Sequence, residues 1–284
     1  MPGKNEIIHK EDLNSESFRL CVYAPEIVRK HLPGQFVILR VHEDGERIPL
    51  SVVGTDSEKG LLDMVVQVAG KTTRLLSGLS RGDSILDVVG PLGRPTGITK
   101  VGNVVTVGGG VGIAGVVKIT RAFLEEGNTV TGIIGARSRD MVILEREMRA
   151  ACHTLHVATD DGSAGKKGFV TDILRGLIGD GQPIDEVLTV GPLVMMKAVA
   201  DLTRPHGIRT VASLNTLMVD GTGMCGCCRC TVDGQMKFAC VDGPEFDAHK
   251  IDFEELLRRQ YMYADLEKTS CETCRIEENL QNGG

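Results

Sequence analysis

Four cysteines fall within six positions, at 225, 227, 228 and 230, and Cys240 follows ten residues after the last of them. Thiols at that density are soft metal ligands rather than packing groups. With Cys225, Cys228 and Cys240 as three ligands, the gaps are two and eleven residues. A plant-type 2Fe-2S spacing of C-x4-C-x2-C…C then asks for a first ligand at position 220, which is Asp220. A carboxylate ligates iron and keeps the negative charge a thiolate would bring, so the rise in potential caused by neutral histidine ligands is not expected. Gly221, Gly223 and Gly226 suit a loop that wraps closely round a cluster and turns backbone N–H groups toward its sulfides. Zinc competes for the same residues. Cys225-x2-Cys228, Cys227-x2-Cys230 and Cys271-x2-Cys274 all have the spacing of a structural tetrathiolate site. Spacing alone leaves iron, zinc and unligated thiols open.

The other elements must say what would use such a centre. A chain of 284 residues, 42% of them hydrophobic, suffices for two domains or three small ones. Tryptophan is absent and glycine numbers 35, a composition of tight turns and close backbone approach to ligands. The net charge is −6 and no run of Lys or Arg occurs, so nucleic acid is not expected as a partner. No stretch nears the ~20 apolar residues of a membrane span, and Met1 to Glu6 lacks the apolar core of a signal peptide. A cytoplasmic chain without membrane contact is expected. Nine cysteines, odd in number and crowded, do not form a disulfide framework; in a reducing compartment their clustering points to metal.

Residues 5–98 alternate in short runs over 18–23, 36–41, 50–53, 61–68 and 84–89, with turn signals such as Pro33-Gly34 and Arg81-Gly82-Asp83 between them. Many short strands before any long helix predict a small antiparallel barrel. Arg47-Ile48-Pro49-Leu50-Ser51 heads one strand, where an arginine can meet a phosphate and a serine hydroxyl can bond a flavin ring edge. Gly70-Lys71-Thr72-Thr73 follows another and opens a helix, offering amide donors to a pyrophosphate. A plain turn and helix cap is the competing reading. It is not a P-loop, because Val65 stands where that motif needs glycine. Gly90 to Pro95 then closes the barrel.

The middle third changes rhythm. Asn103 to Val107 reads as a buried strand, followed by Gly108 to Gly115 and an amphipathic helix through Leu124. Gly110, Gly112 and Gly115 satisfy G-x-G-x-x-G in the strand-to-helix setting where a nucleotide phosphate meets a helix N-terminus. The acidic residue expected at the end of the next strand is missing; Arg137-Ser138-Arg139 stands there instead. Those arginines suit either an adenosine ribose or its 2′-phosphate, or form a solvated loop. Further strand ends lead into Asp160-Asp161-Gly162-Ser163, Gly191-Pro192-Leu193 and Ser213-Leu214-Asn215, with helices expected over 141–151, 168–178 and 193–203. Met195 and Met196 read as helix packing and His153 and His156 as structural or exposed. No Ser-His-Asp or paired-carboxylate arrangement occurs.

Taken in order, these segments resemble the small electron-transferring flavoprotein subunit of NADH-dependent ferredoxin:NADP oxidoreductase, also called the sulfide dehydrogenase beta-type subunit. At more distance they are similar to the electron-transfer subunit of class B dihydroorotate dehydrogenase. The resemblance covers nearly the whole chain and is most specific over Met218 to Arg229 and Phe238 to Phe246. It implies a β-barrel plus α/β fold: a ferredoxin-reductase-like FAD barrel over 1–98, an NAD-binding parallel-sheet domain over 99–214, and a small C-terminal 2Fe-2S module over 215–284. It implies flavin contacts at Arg47, Pro49, Leu50, Ser51, Gly70, Thr72 and Thr73. The nicotinamide nucleotide would lie along Gly109, Gly110, Val111, Gly112, Arg137, Asp160, Gly191 and Pro192. Cluster ligands would be Asp220, Cys225, Cys228 and Cys240. A cysteine is usual at position 220 in the dihydroorotate relatives, so Asp220 favours the bifurcating branch. The implied partner is a larger FAD and iron–sulfur flavoprotein subunit, with ferredoxin acting through it. Cys230, and Cys271 with Cys274, depart from the family pattern. A zinc-stabilised module without catalysis is the alternative of another kind.

Overall fold

The alternating first third forms strands because each run has one apolar face to bury. The computed structural model describes residues 2–263 and Thr269; Cys271 and Cys274 lie outside them. Strands β1 (Ile7–Asn14), β2 (Ser17–Tyr23), β3 (Phe36–Arg40), β4 (Arg47–Asp56), β5 (Leu61–Gln67) and β6 (Asp87–Leu92) make a sheet in the order β1-β2-β5-β4-β3-β6, with helices α1 (Pro25–Val28) and α2 (Lys71–Gly78) between strands. The sheet curls shut where Asn5 and Ile7 exchange backbone hydrogen bonds with residues 82–85. Leu20, Val22, Val37, Leu39, Leu62, Met64 and Val66 fill its interior.

The middle third is an α/β layer of β7 (Asn103–Gly109), α3 (Gly112–Glu125), β8 (Thr129–Ala136), α4 (Glu145–Ala151), β9 (Thr154–Thr159), β10 (Lys166–Lys167), α5 (Val170–Gly179), β11 (Glu186–Val190), α6 (Leu193–Thr203) and β12 (Arg209–Ser213). β7 and β11 lie between helical layers, and their nearly continuous burial, which takes in Thr106 and Thr189, follows from cover on both faces. The last segment adds β13 (Arg229–Val232), β14 (Gln235–Phe238), β15 (Glu245–Asp247) and α7 (Phe253–Gln260). The larger sheet runs β10-β9-β8-β7-β11-β12-β15, parallel except for β15, which pairs antiparallel with β12.

Two apolar cores join these parts. Val53 and Val65, on the outer face of the barrel, pack with Ile113, Val116 and Val117 of α3. Phe36 and Ile38 of β3 share a second core with Leu193, Met196 and Ala200 of α6 and with Cys228, Cys230 and Cys240. A polar link accompanies them: Thr96 Oγ1 donates to Glu245 Oε1 at 2.6 Å. Burial pushes the Glu245 carboxyl up to about 7. A carboxyl raised by folding stabilises fully below its unfolded value, and that contribution is lost as pH climbs through the folded one. The window here runs from 4.5 to about 7. Glu245→Gln keeps an acceptor for Thr96 without the charge. Thermal melts should therefore rise above wild type by ~2–4 °C at pH 8 and coincide with it near pH 4.5; equal melts at both values would refute the assignment.

Candidate functional site

The parallel sheet reverses its strand order between β7 and β11, and open α/β sheets bind ligands outside the strand ends at such a point. Gly109, Gly110, Val111 and Gly112 leave β7, while Gly191 and Pro192 leave β11. These loops touch: a Cβ on Gly112 would lie 2.7 Å from Gly191 Cα, so close approach requires the glycine. Gly110 turns the chain into α3 with φ +55, and no side chain caps that helix, whose N-terminal dipole faces the crevice. Met195 packs against two apolar cores, as its sequence setting predicts, and its thioether end also lines the crevice. A Cβ on Gly191 would be 2.6 Å from its Cε, and one on Gly109 would be 3.1 Å away. His153 is structural, its Nδ1 accepting from the Val130 amide at 3.1 Å.

At the end of β8 the exposed Arg137 is not free. Its Nη2 lies 2.9 and 2.8 Å from the two carboxylate oxygens of Glu16 in the barrel. The Asp160 amide donates to Ala136 and the Asp161 amide to Arg137, which brings the acidic loop alongside. Hydrogen bonds from Ser163 hold the Asp161 carboxyl below its usual range. A cavity of about 520 Å³ at the outer edge of β9, lined by Arg139, His156 and Lys166 among others, lies beyond this crevice.

On the barrel, Arg47, Pro49, Leu50 and Ser51 stand in β4. Arg40, opposite Arg47, is taken by Asp87 at 2.6 Å, whereas Arg47 is exposed and has no ion-pair partner among the described residues. Ser51 reaches α3: a Cβ on Gly115 would be 3.3 Å from its Oγ. The Gly70 turn closes on itself. Thr73 Oγ1 accepts from the Ala69 and Gly70 amides at 3.0 Å, and the buried Thr72 donates to Glu46 at 2.9 Å.

The cysteine loop follows β12. Gly221, Gly223 and Gly226 have φ values of +74, +81 and +67, angles that side chains resist. Asp220 accepts from the Thr222 and Cys225 amides, each at 2.8 Å, and the Thr222 N–H above all holds its carboxyl below the usual range. Cys225 is exposed, while Cys228 and Cys240 are buried with their sulfurs 3.1 Å apart. Burial pushes the Cys240 thiol up to about 12. No three of these donors converge as a preformed metal cage among the described residues. The donor set still fits an iron–sulfur centre: three thiols and an ionised carboxylate are paired as Asp220 with Cys225 and Cys228 with Cys240, along a loop bent by glycine. Cys230 faces the core, its sulfur 3.8 Å from the Lys237 carbonyl and its thiol pushed to about 12 by burial. Cys227 lies beside Cys225, and Arg259 of α7 donates to its carbonyl at 3.1 Å.

This loop sits directly on the barrel. A Cβ on Gly221 would lie 2.6 Å from Leu92 Cδ1 and 2.8 Å from Ile38 Cδ1, and Ile38 pairs in register with Pro49.

Comparison with known proteins divides the chain in the same order. The oxidoreductase FAD-binding domain family matches residues 5–96, the oxidoreductase NAD-binding domain family 106–201, and the iron–sulfur cluster binding domain of dihydroorotate dehydrogenase B 215–252. A Thermotoga maritima protein described as a homolog of the dihydroorotate dehydrogenase B (NAD(+)) electron transfer subunit is 50% identical over 94% of both chains. The chain belongs to the dihydroorotate dehydrogenase B electron-transfer subunit family. A Fusobacterium nucleatum electron transfer subunit of dihydroorotate dehydrogenase B is 32% identical over 84% of this chain and 94% of its own. Among solved structures, a chain of the NADH-dependent reduced ferredoxin-NADP oxidoreductase superposes with a TM-score of 0.92 at 47% identity, covering 96% of this chain and 98% of that one. The ferredoxin reductase in carbazole 1,9a-dioxygenase shares the fold, with a TM-score of 0.62 at 18% identity over 72% of this chain and 65% of that one. This electron-transfer subunit is thus an oxidoreductase component with FAD-binding, NAD-binding and iron–sulfur domains. No described helix is long and apolar enough to cross a membrane.

Proposed function

We propose that this subunit carries electrons between NAD(H), FAD and a 2Fe-2S cluster inside an electron-bifurcating ferredoxin:NADP transhydrogenase-type complex of the cytoplasm. Its partner is a larger FAD and iron–sulfur flavoprotein subunit, through which ferredoxin reacts. One observation carries the relay: the β3–β4 pair of the barrel touches α3 of the nucleotide crevice through Ser51 and the cluster loop through Ile38. Bound FAD supplies the exchange between two-electron hydride chemistry and one-electron transfer.

The chain positions the groups. Arg47, without an ion pair, is available to a flavin phosphate, and Ser51, with Pro49 and Leu50, to the ring; the Gly70 turn with Thr72 and Thr73 lies beside it. Gly109 to Gly112 with Gly191 and Pro192 admit the nicotinamide nucleotide where a side chain would block it, and Arg137 and Asp160 stand at its ribose end. Asp220, Cys225, Cys228 and Cys240 hold the cluster. No side-chain acid or base is required.

Anaerobic purification tests this reading. Flavin, two irons and two acid-labile sulfides per chain are expected, with NADH bleaching the flavin and then the cluster absorbance. A colourless zinc protein without flavin would sink it. The dihydroorotate dehydrogenase reading is the runner-up, separated by whether the partner subunit binds orotate or a second nicotinamide nucleotide. Asp220 favours the first reading. Asp220→Cys should keep the cluster while changing its spectrum and potential; an unchanged spectrum would make Cys227 the fourth ligand, since Cys230 faces the core.

A further inference from the structure

We infer that Glu16, a barrel residue, sets nucleotide choice by holding Arg137, so that the crevice accepts a ribose with a free 2′-hydroxyl and rejects a 2′-phosphate. The inference rests on the nucleotide placement proposed above. In the ordinary dinucleotide fold an acid at the end of the second strand bonds the ribose diol, and an arginine nearby takes the 2′-phosphate of NADP. Here the second strand is β8, and Arg137 follows it directly. By itself that arginine would mark a phosphate site.

Glu16 reverses the sign. It lies in the β1–β2 turn, and both carboxylate oxygens grip Arg137 Nη2, at 2.9 and 2.8 Å. The barrel fixes its position: the Glu16 amide donates to Asn14 Oδ1 at 2.9 Å, its carbonyl accepts from the Val68 amide at 2.7 Å, and Gln67 Nε2 lies 3.4 Å from Oε2. The missing acid of the second strand thus arrives from another part of the fold. Asp160 and Asp161 lie on a loop bonded to the Ala136 and Arg137 backbone, with the exposed Arg139 and the β10 residues Lys166 and Lys167 on its far side. A 2′-phosphate, bringing nearly two further negative charges, would have to break the Glu16–Arg137 pair and then face the freed carboxylate. A ribose diol meets acceptors instead.

Anaerobic equilibrium titration of the flavin-loaded full chain, first reduced with dithionite, with NADH and with NADPH decides the point. Wild type should favour NADH by at least ~10-fold, and Glu16→Gln should raise NADPH affinity relative to NADH by about 10-fold, the scale of one lost charge repulsion. Adding Arg137→Gln to that variant should abolish the gain, because the freed guanidinium is what takes the phosphate; Glu16→Asp should stay close to wild type. An unchanged NADPH-to-NADH ratio in Glu16→Gln, or a gain that survives the double substitution, overturns the inference while leaving the electron-relay reading intact. A wild-type chain that binds neither nucleotide overturns both.

Discussion

Serine in place of Cys228 is expected to yield a chain that keeps its flavin but holds no more than about a tenth of the wild-type iron and acid-labile sulfide, since thiolate is the softer ligand at a site with four donors and none to spare. Cys228 is buried with its sulfur 3.1 Å from that of Cys240, and serine there offers only a hydroxyl in place of the thiolate. The half-buried Cys227 lies on the Cys225 side of the loop. Flavin retention follows from the separation of cores: the barrel interior around Leu20, Val37 and Met64 contains none of these cysteines. Cys230→Ser is the control. Its thiol points at the Lys237 carbonyl and serves packing, so that variant should lose ~1–2 kcal/mol of stability yet keep the cluster. Full iron content in Cys228→Ser, or loss confined to Cys230→Ser, would exclude the ligand assignment.

Alanine at Gly112 should have a comparably large effect on the other side of the relay. The added Cβ would meet backbone, lying 2.7 Å from both the Val190 carbonyl carbon and Gly191 Cα, and it has no rotamer to escape by. Because β7 and β11 are adjacent central strands, separating their loops means distorting the sheet. NADH affinity should fall about 100-fold, equivalent to ~2.7 kcal/mol, while dithionite still reduces flavin and cluster. Gly176→Ala in α5, where an added Cβ meets nothing within 4 Å, should leave NADH binding unchanged. Wild-type NADH affinity in Gly112→Ala would remove the crevice from the mechanism.

The order of barrel, parallel sheet and cysteine loop was legible because each depends on a local pattern: alternation, a glycine turn between strand and helix, or metal-ligand spacing. What escaped depends on distance or on local exceptions. β1 was unread because His9-Lys10-Glu11-Asp12 masks its alternation; it is an edge strand with one solvated face. The strand expected over 84–89 begins instead at Asp87, since Ser84 makes only an isolated bridge to Glu6. The helix expected from 141 starts at Glu145, after Leu144 adopts φ +53. Glu16 could not be found from sequence because its partner is 121 residues away, and Glu245 meets Thr96 across 149. Met195 was placed on the right helix, but its reach into the crevice depends on two glycines from different strands.

The antiparallel pairing of β15 with β12 bears on how the chain is assembled. The cysteine loop lies between these two strands in sequence, so the nucleotide-binding sheet gains its last strand only after the chain has passed through the proposed ligand positions. The metal centre is therefore not a detachable cassette. A fragment ending at residue 214 would retain the flavin and nucleotide segments but leave β12 as a bare sheet edge, open to pairing with another molecule. The cysteine loop and the strand that covers that edge thus share one stretch of chain, and neither can be excised without disturbing the other.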